Sequence, residues 1–251
     1  MFGRKVKETI SVWKYSDVGG RVENEDSIEV MSDTDKGLLA MVADGLGGHG
    51  GGKQASQAVI ASLQNDFRIS LLEDPEEFNV WFQKANQCVI DMQTKECEMK
   101  TTLVSLIIKN NSAMWAHVGD SRLYHFVNNK LVFRTFDHSV SQMAVLRGEI
   151  SESEIRGHTD RNKLLKALGR EETIKIDVSD KTDISEGEHA FLLCTDGFWE
   201  YVNETEMQKT LKSSVTAEEW INKMVKVLKR RAKENNDNNS SIAIIYRGGK
   251  K

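Results

Sequence analysis

The apolar positions of this chain follow two rhythms. From Gln54 onward, Ala55, Ala58, Val59, Leu63 and Phe67 fall at helical spacing. After Pro75 the same spacing returns in Phe78, Trp81, Phe82, Ala85, Val89 and Met92. Proline suits the first turn of a helix, where its missing N–H is no loss, so two helices are predicted here. A further helix is predicted near 204–212, and a longer one over 217–233 that buries Trp220, Ile221, Met224, Val225 and Leu228. The basic face of the longer helix (Lys226, Lys229, Arg230, Lys233) has the pattern of a solvated surface.

Elsewhere the apolar residues run nearly unbroken. The runs 37–43, 103–108, 113–118, 123–127, 131–136 and 242–246 read as strands, and 190–194 has the composition of a strand buried on both faces. Residues 9–16 mix β-branched and aromatic with polar residues and form another. Two polar breaks, Lys109-Asn110-Asn111-Ser112 and Asn128-Asn129-Lys130, separate neighbouring strands. Asparagine tolerates the left-handed backbone of a tight hairpin. Two successive hairpins mean antiparallel pairing and count against a doubly wound nucleotide-binding fold. Residues 139–170 are polar and mixed, which predicts short surface helices.

Composition narrows the field. The 251 residues are 39% hydrophobic, enough for a real core in one large domain or two small ones. The net charge of −4 argues against nucleic acid as the main partner. No apolar run approaches the roughly 18 residues of a membrane span, and no signal-type segment opens the chain, so a cytoplasmic protein is expected. Cys88, Cys97 and Cys194 lack metal-site spacing and read as reduced thiols.

Candidate chemistry concentrates in Val42-Ala43-Asp44-Gly45-Leu46-Gly47-Gly48-His49-Gly50-Gly51-Gly52-Lys53, read as strand, glycine turn and helix start. Gly45-x-Gly47-x-x-Gly50 fits a dinucleotide fingerprint, but Asp44 would oppose the pyrophosphate and no second acid-tipped parallel strand follows. Gly47-x4-Gly52-Lys53 fits a phosphate loop until Gln54, where a hydroxyl must hold magnesium. The third reading makes Asp44 a metal ligand and needs carboxylates elsewhere.

Those carboxylates exist. Asp120 in Gly119-Asp120-Ser121-Arg122 and Asp196 in Thr195-Asp196-Gly197 each follow an apolar strand, and Asp237 precedes the last one. Asp26 closes an acidic loop, 16–27, that also holds Glu25 and Arg21. One Asp-Gly is an ordinary turn, and an acidic loop is ordinarily solvated. Strand ends meeting at one edge of a core would instead cluster these acids, which repel unless a cation neutralises them. All-oxygen ligation suits Mg²⁺ or Mn²⁺.

The ordered set Arg21-x-x-Asn24-Glu25-Asp26, Asp44-Gly45-x-Gly47-Gly48-His49, Thr101-Thr102, Gly119-Asp120-Ser121-Arg122, Asp137-His138, Thr195-Asp196-Gly197 and Asp237-Asn238-x-Ser240 resembles the metal-dependent protein phosphatase family (protein phosphatase 2C-like), bacterial branch. The motifs span residues 16–245. The resemblance implies an α+β fold, a four-layer α-β-β-α sandwich of two antiparallel sheets flanked by helices. It implies one catalytic domain over 1–251 with a flap at about 140–168, centred on Gly148 to Arg161.

The resemblance further implies hydrolysis of phosphoserine and phosphothreonine in proteins, opposing a Ser/Thr kinase, by a metal-bridging hydroxide and without a phosphoenzyme. Asp44 would bridge two ions, Gly45 would offer its carbonyl to one of them, and Asp196 and Asp237 would complete the shell of the other. Asp120 with Asp196 would hold a third, weaker ion, and Glu25 and Asp26 would hold metal-bound waters. Arg21 would clamp the phosphoryl oxygens. The chain departs from the family at Leu46, where the eukaryotic branch has a histidine, and at Lys100, where glycine is usual. His49 is then a candidate leaving-group acid. The competing reading is a weakly active, phosphoprotein-binding regulatory module on the same fold.

Overall fold

A computed structural model describes residues 9–47, 51–170 and 172–248. Strands β1 (Thr9–Asp17), β2 (Asp26–Asp33) and β3 (Gly37–Leu46) lead into helices α1 (Gly51–Ile69) and α2 (Pro75–Met92). Next come β4 (Lys100–Thr101), β5 (Leu103–Lys109), β6 (Ser112–Val118), β7 (Arg122–Val127) and β8 (Lys130–Arg134). The flap region holds α3 (Val140–Leu146) and a 3₁₀ turn over Glu152–Gly157. Then follow β9 (Asp177–Val178), β10 (Thr182–Asp183), β11 (Glu188–Cys194), α4 (Asp196–Trp199), α5 (Glu204–Lys212), α6 (Ala217–Arg231) and β12 (Asn239–Arg247).

The strands form two antiparallel sheets. One has the order β1-β12-β11-β7-β8. The other runs β10-β6-β5-β3-β2, with β4 added beside β3 and β9 beside β6. The unbroken apolar runs are explained by this packing, because each central strand is covered on both faces. In β3, Leu38, Ala40 and Val42 face the opposite sheet, while Leu39, Met41 and Ala43 face α1 and α2. In β11, Phe191 and Leu193 face inward between the sheets, and Ala190, Leu192 and Cys194 face the layer of α4, α5 and α6. The architecture is the α-β-β-α sandwich expected from the sequence.

Helix ends match their sequences. Asp74 caps α2 in a capping box with Glu77, and Pro75 follows at the first helical position. Thr216 caps α6, whose last turn carries Lys229, Arg230 and Arg231 against the negative end of the helix dipole. The asparagine turns behave as read: Asn110, Asn111, Asn128 and Asn129 all have positive φ. The two hairpins belong to different sheets, so the chain crosses between sheets at Gly119–Ser121.

Three expectations are corrected. Strand β3 runs on through Asp44 to Leu46 instead of ending at residue 43, because Gly45 and Leu46 pair with Thr101 and Lys100 of β4. Helix α1 begins at Gly51, three residues before Gln54. And the acidic loop, read over 16–27, gives way at Asp26 to β2, a strand for which the apolar pattern gave no expectation. It is an edge strand, partly exposed along its length, so its polar outer residues obscure the apolar ones.

Candidate active site

The sheets bring the predicted acids to one edge. Asp26, the first residue of β2, lies directly opposite Asp44 in the β2–β3 register. Asp196 follows β11, and Asp237 precedes β12, the antiparallel neighbour of β11. Asp120 sits in the crossing between β6 and β7, and β7 begins beside the end of β11, with Arg122 opposite Cys194.

Short-range bonds hold each position. The Asp44 N–H donates to Thr102 Oγ1 (3.0 Å), and its carbonyl accepts from Thr102 N (2.9 Å) and Thr101 Oγ1 (2.8 Å). The Thr101-Thr102 pair thus anchors the end of β3. Gly45 could carry no side chain, since a Cβ there would meet the Gly52 carbonyl oxygen at 2.1 Å. Asn238 fastens the early acidic loop to the start of β12: its Oδ1 accepts from Glu25 N (2.8 Å), and its Nδ2 donates to the Val18 and Glu23 carbonyls. The sequence displayed Asn238 in a motif but did not disclose this role. An amide is needed because the site asks for an acceptor and two donors at once.

Asp44, Asp120, Asp196, Asp237 and Glu25 together line a pocket of about 440 Å³. Arg21 is the one basic residue on its wall among the described residues, and its Nη2 pairs with Asp237 Oδ2 at 2.7 Å. Asn162 and Leu164 reach the wall from the flap. The flap is tied down by Arg161, 2.7 Å from Glu200, and by Arg156, which donates to the Trp199 carbonyl (3.0 Å) and to Glu204 (2.9 Å).

The electrostatics are those of uncompensated negative charge. Burial, then the nearby Asp26, Asp196, Asp120 and Asp237, holds the Asp44 carboxyl well above the usual range. Burial and the charge of Asp196 do the same to Asp120. Asp196 is pushed up to about 6 by burial and by Asp237. Asp26, behind the pocket, is pushed up to about 7 by burial, against hydrogen bonds from Ser240 and Thr195. Thr195 Oγ1 donates to Asp26 Oδ2 at 3.0 Å, while Oδ1 is buried without a partner. Six acids, counting Glu23, face one arginine on the wall. The donors are all oxygen, they repel, and one is orphaned; this set fits hard divalent cations.

His49 lies outside the described residues. Lys100 pairs with Glu98 at 2.7 Å and does not line the pocket.

Two further clusters border the site. Arg122 is buried and makes a two-pronged pair with Asp137, Nε to Oδ1 and Nη2 to Oδ2 both at 2.7 Å. Its guanidinium stacks 3.5 Å from the Trp199 ring centre, and Trp199 Nε1 donates to the Asp120 carbonyl (3.0 Å). His117, His138 and Asp177 form the second cluster, with ligand-type atoms within 4.8 Å of one another. Burial and the neighbouring His117 push His138 down to about 4. The sequence reading offered no histidine cluster because its members lie on three separate segments.

A family model described as protein phosphatase 2C matches residues 19–238. The chain is 35% identical over 210 residues to the serine/threonine phosphatase stp of Listeria monocytogenes serotype 4b (strain F2365), covering 79% of this chain and 81% of that one. A crystal structure of a bacterial serine phosphatase superposes with a TM-score of 0.84 at 25% identity, covering 97% of this chain and 100% of that one. The catalytic domain of the serine threonine protein phosphatase PstP, solved in complex with two manganese ions, superposes with a TM-score of 0.80 at 25% identity, covering 96% and 100%.

Proposed function

The chain belongs to the protein phosphatase 2C family, and from that premise we propose that it is a metal-dependent hydrolase of phosphoserine and phosphothreonine in proteins. The observation that carries this reading is the convergence of five carboxylates, Asp44, Asp120, Asp196, Asp237 and Glu25, on one pocket with, among the described residues, one arginine on its wall. Every acid proposed to hold an ion or its water is in or directly behind that pocket, so nothing favours a merely binding module.

Asp44, Asp196, Asp237 and the Gly45 carbonyl would hold two ions, and Asp120 with Asp196 a third. Mn²⁺ and Mg²⁺ both suit these donors. When bound, the ions supply charge neutralisation at the phosphoryl group and a water of lowered pKa. Glu25 on the pocket wall and Asp26 behind it would orient water toward that centre. The protein's own part is positioning. Arg21, half-exposed at the rim, would fork two phosphoryl oxygens. The Thr101-Thr102 bonds fix Asp44, and Asn238 fixes the loop that carries Glu25 and follows Arg21. Leu164 and Asn162 form the substrate-side wall.

No cysteine of the chain is placed for nucleophilic attack. Cys194 is buried, and burial raises its thiol pKa; none of the three lines the pocket. In this reading, as the resemblance to the family implies, the reaction is a direct displacement by water. The chain acts as one catalytic domain over 1–251 with its flap at about 140–168, in the cytoplasm, and a Ser/Thr kinase supplies its substrates. In the described residues no helix is long and apolar enough to cross a membrane.

The test is phosphate release from a phosphothreonine peptide in Mn²⁺, Mg²⁺ or EDTA, for the parent and for Asp196→Asn. Turnover that needs the metal and collapses in the variant supports the reading. A folded, Mn²⁺-binding protein without turnover in either metal would sink it.

A further inference from the structure

The Gly119–Asp120 turn is held by a residue with no part in the chemistry described so far. His138 bonds Gly119 on both sides: its backbone N–H donates to the Gly119 carbonyl (2.9 Å), and its ring Nδ1 accepts from the Gly119 N–H (3.1 Å). Gly119 has φ of +99°, and a Cβ there would press on Thr102 at 2.5 Å, so the turn is tightly constrained. An acceptor at Nδ1 requires that the ring's proton sit on Nε2. Nε2 faces Asp177 Oδ1 at 3.3 Å, an acceptor that fixes that tautomer.

His138 also touches the flap. Its carbonyl accepts from Leu165 N (2.8 Å), next to the pocket-lining Leu164, and Lys166 Nζ lies 3.3 Å from its Nε2. The ring stacks on His117 at 4.8 Å between centres, and the two planes are within 4° of parallel. His117 in turn bonds the Phe136 carbonyl through Nε2 (2.8 Å). Parallel rings do not aim their lone pairs at a common point, and the Nδ1 of His138 is already engaged. This cluster is built as a hydrogen-bonded brace, unlike a cation site.

We propose that His138 is a positioning residue: with its tautomer set by Asp177, it locks Gly119 and thereby aims Asp120 into the acidic pocket. The proposal rests on the assignment of Asp120 as an ion ligand. Outer partners of this kind, when lost, typically weaken metal binding roughly 10-fold.

The two amide replacements separate positioning from bulk packing. An asparagine oxygen can overlay Nδ1 and still accept from Gly119, whereas a glutamine oxygen overlays Nε2 and cannot. Mn²⁺ binding to the whole protein is followed by calorimetry, with unfolding temperature measured alongside. We expect His138→Gln to weaken the weakest Mn²⁺ site roughly 10-fold, His138→Asn to retain most of the affinity, and Asp177→Ala to fall between. On an Asp120→Asn background these changes should have no further effect on Mn²⁺ binding. Equal losses of unfolding temperature in the Asn and Gln variants, with unchanged Mn²⁺ binding in both, would overturn the positioning role. Unchanged Mn²⁺ binding in Asp120→Asn alone would instead remove the ion from Asp120, and the proposal with it, while leaving the assignment at Asp44, Asp196 and Asp237 intact.

Discussion

Asp137 and Asp120 are each only 5% exposed, but their surroundings are opposite. Asp137 is gripped by both prongs of the Arg122 guanidinium, which is itself stacked on Trp199 and bonded to the Tyr124 hydroxyl at 3.1 Å. That charge is compensated inside the chain. Asp120 instead faces Asp196 and Asp137, and its carboxyl is held far above the usual range, first by burial. Both clusters contain buried charge, but only the second needs something from outside. A buried ion pair that is complete serves the scaffold; a buried set of like charges marks the place where a ligand's free energy is to be used.

The contrast can be broken from either side. The largest effect is expected at the compensated cluster. Arg122→Ala leaves Asp137 buried with only Arg134, 4.0 Å away, as counter-charge, and should cost about 3 kcal/mol of unfolding free energy. Urea denaturation measures it, and joint replacement with Asp137→Leu should recover a substantial part. At the acidic pocket the sign reverses. Asp196→Asn removes one repelling charge, so the metal-free protein should melt higher than the parent. The same change should lower Mn²⁺-dependent kcat/KM about a hundredfold or more, since ion-derived stabilisation is worth several kcal/mol. A variant that loses activity and metal-free stability together would contradict this account of the pocket.

A smaller effect lies in pH. Asp26 and Asp196 titrate near 7 and 6 in the folded chain, above the value of about 3.9 for an unfolded aspartate. The folded state therefore keeps protons that the unfolded state has released, and stability falls as pH rises toward and through 7. His125 and His138, pushed down to about 4 chiefly by burial, act in the opposite sense below about pH 6.5. The clean window is therefore pH 6.5 to 8. In EDTA, unfolding free energy should decline across it. In excess Mn²⁺ the decline should vanish, because the ion displaces the same protons. A flat profile in EDTA would mean the acids are compensated by something else. The smallest effect is expected at Lys100, which pairs with exposed Glu98 away from the pocket wall. Lys100→Ala should leave kcat/KM within about twofold, as surface pairs usually do.

Much of this was legible in the chain. Strands buried on both faces announced themselves as unbroken apolar runs, and Asn110-Asn111 and Asn128-Asn129 specified hairpins through their tolerance of positive φ. What stayed hidden depends on distant pairing. Strands β4, β9 and β10 are two residues each and exist only because β3 and β6 offer them an edge. That β5–β6 and β7–β8 belong to different sheets is decided by the turn at Gly119, which local pattern does not record. The acids were visible one by one as strand-end motifs. Asn238 and His138 were visible as letters, but their bonds reach 213 and 19 residues along the chain, to Glu25 and Gly119. No periodicity encodes such reach.

The crossing at Gly119–Ser121 has one more consequence. Asp26 and Asp44 come from one sheet, Asp196 and Asp237 flank strands of the other, and Asp120 stands on the bridge between them. Neither half of the sandwich carries a working set. On the proposed site assignment, a nascent or half-unfolded chain would be chemically silent, and hydrolytic power would be switched on only by completed assembly. Ions seated across the seam would act as rivets, so that loading the catalyst and closing the fold become a single event.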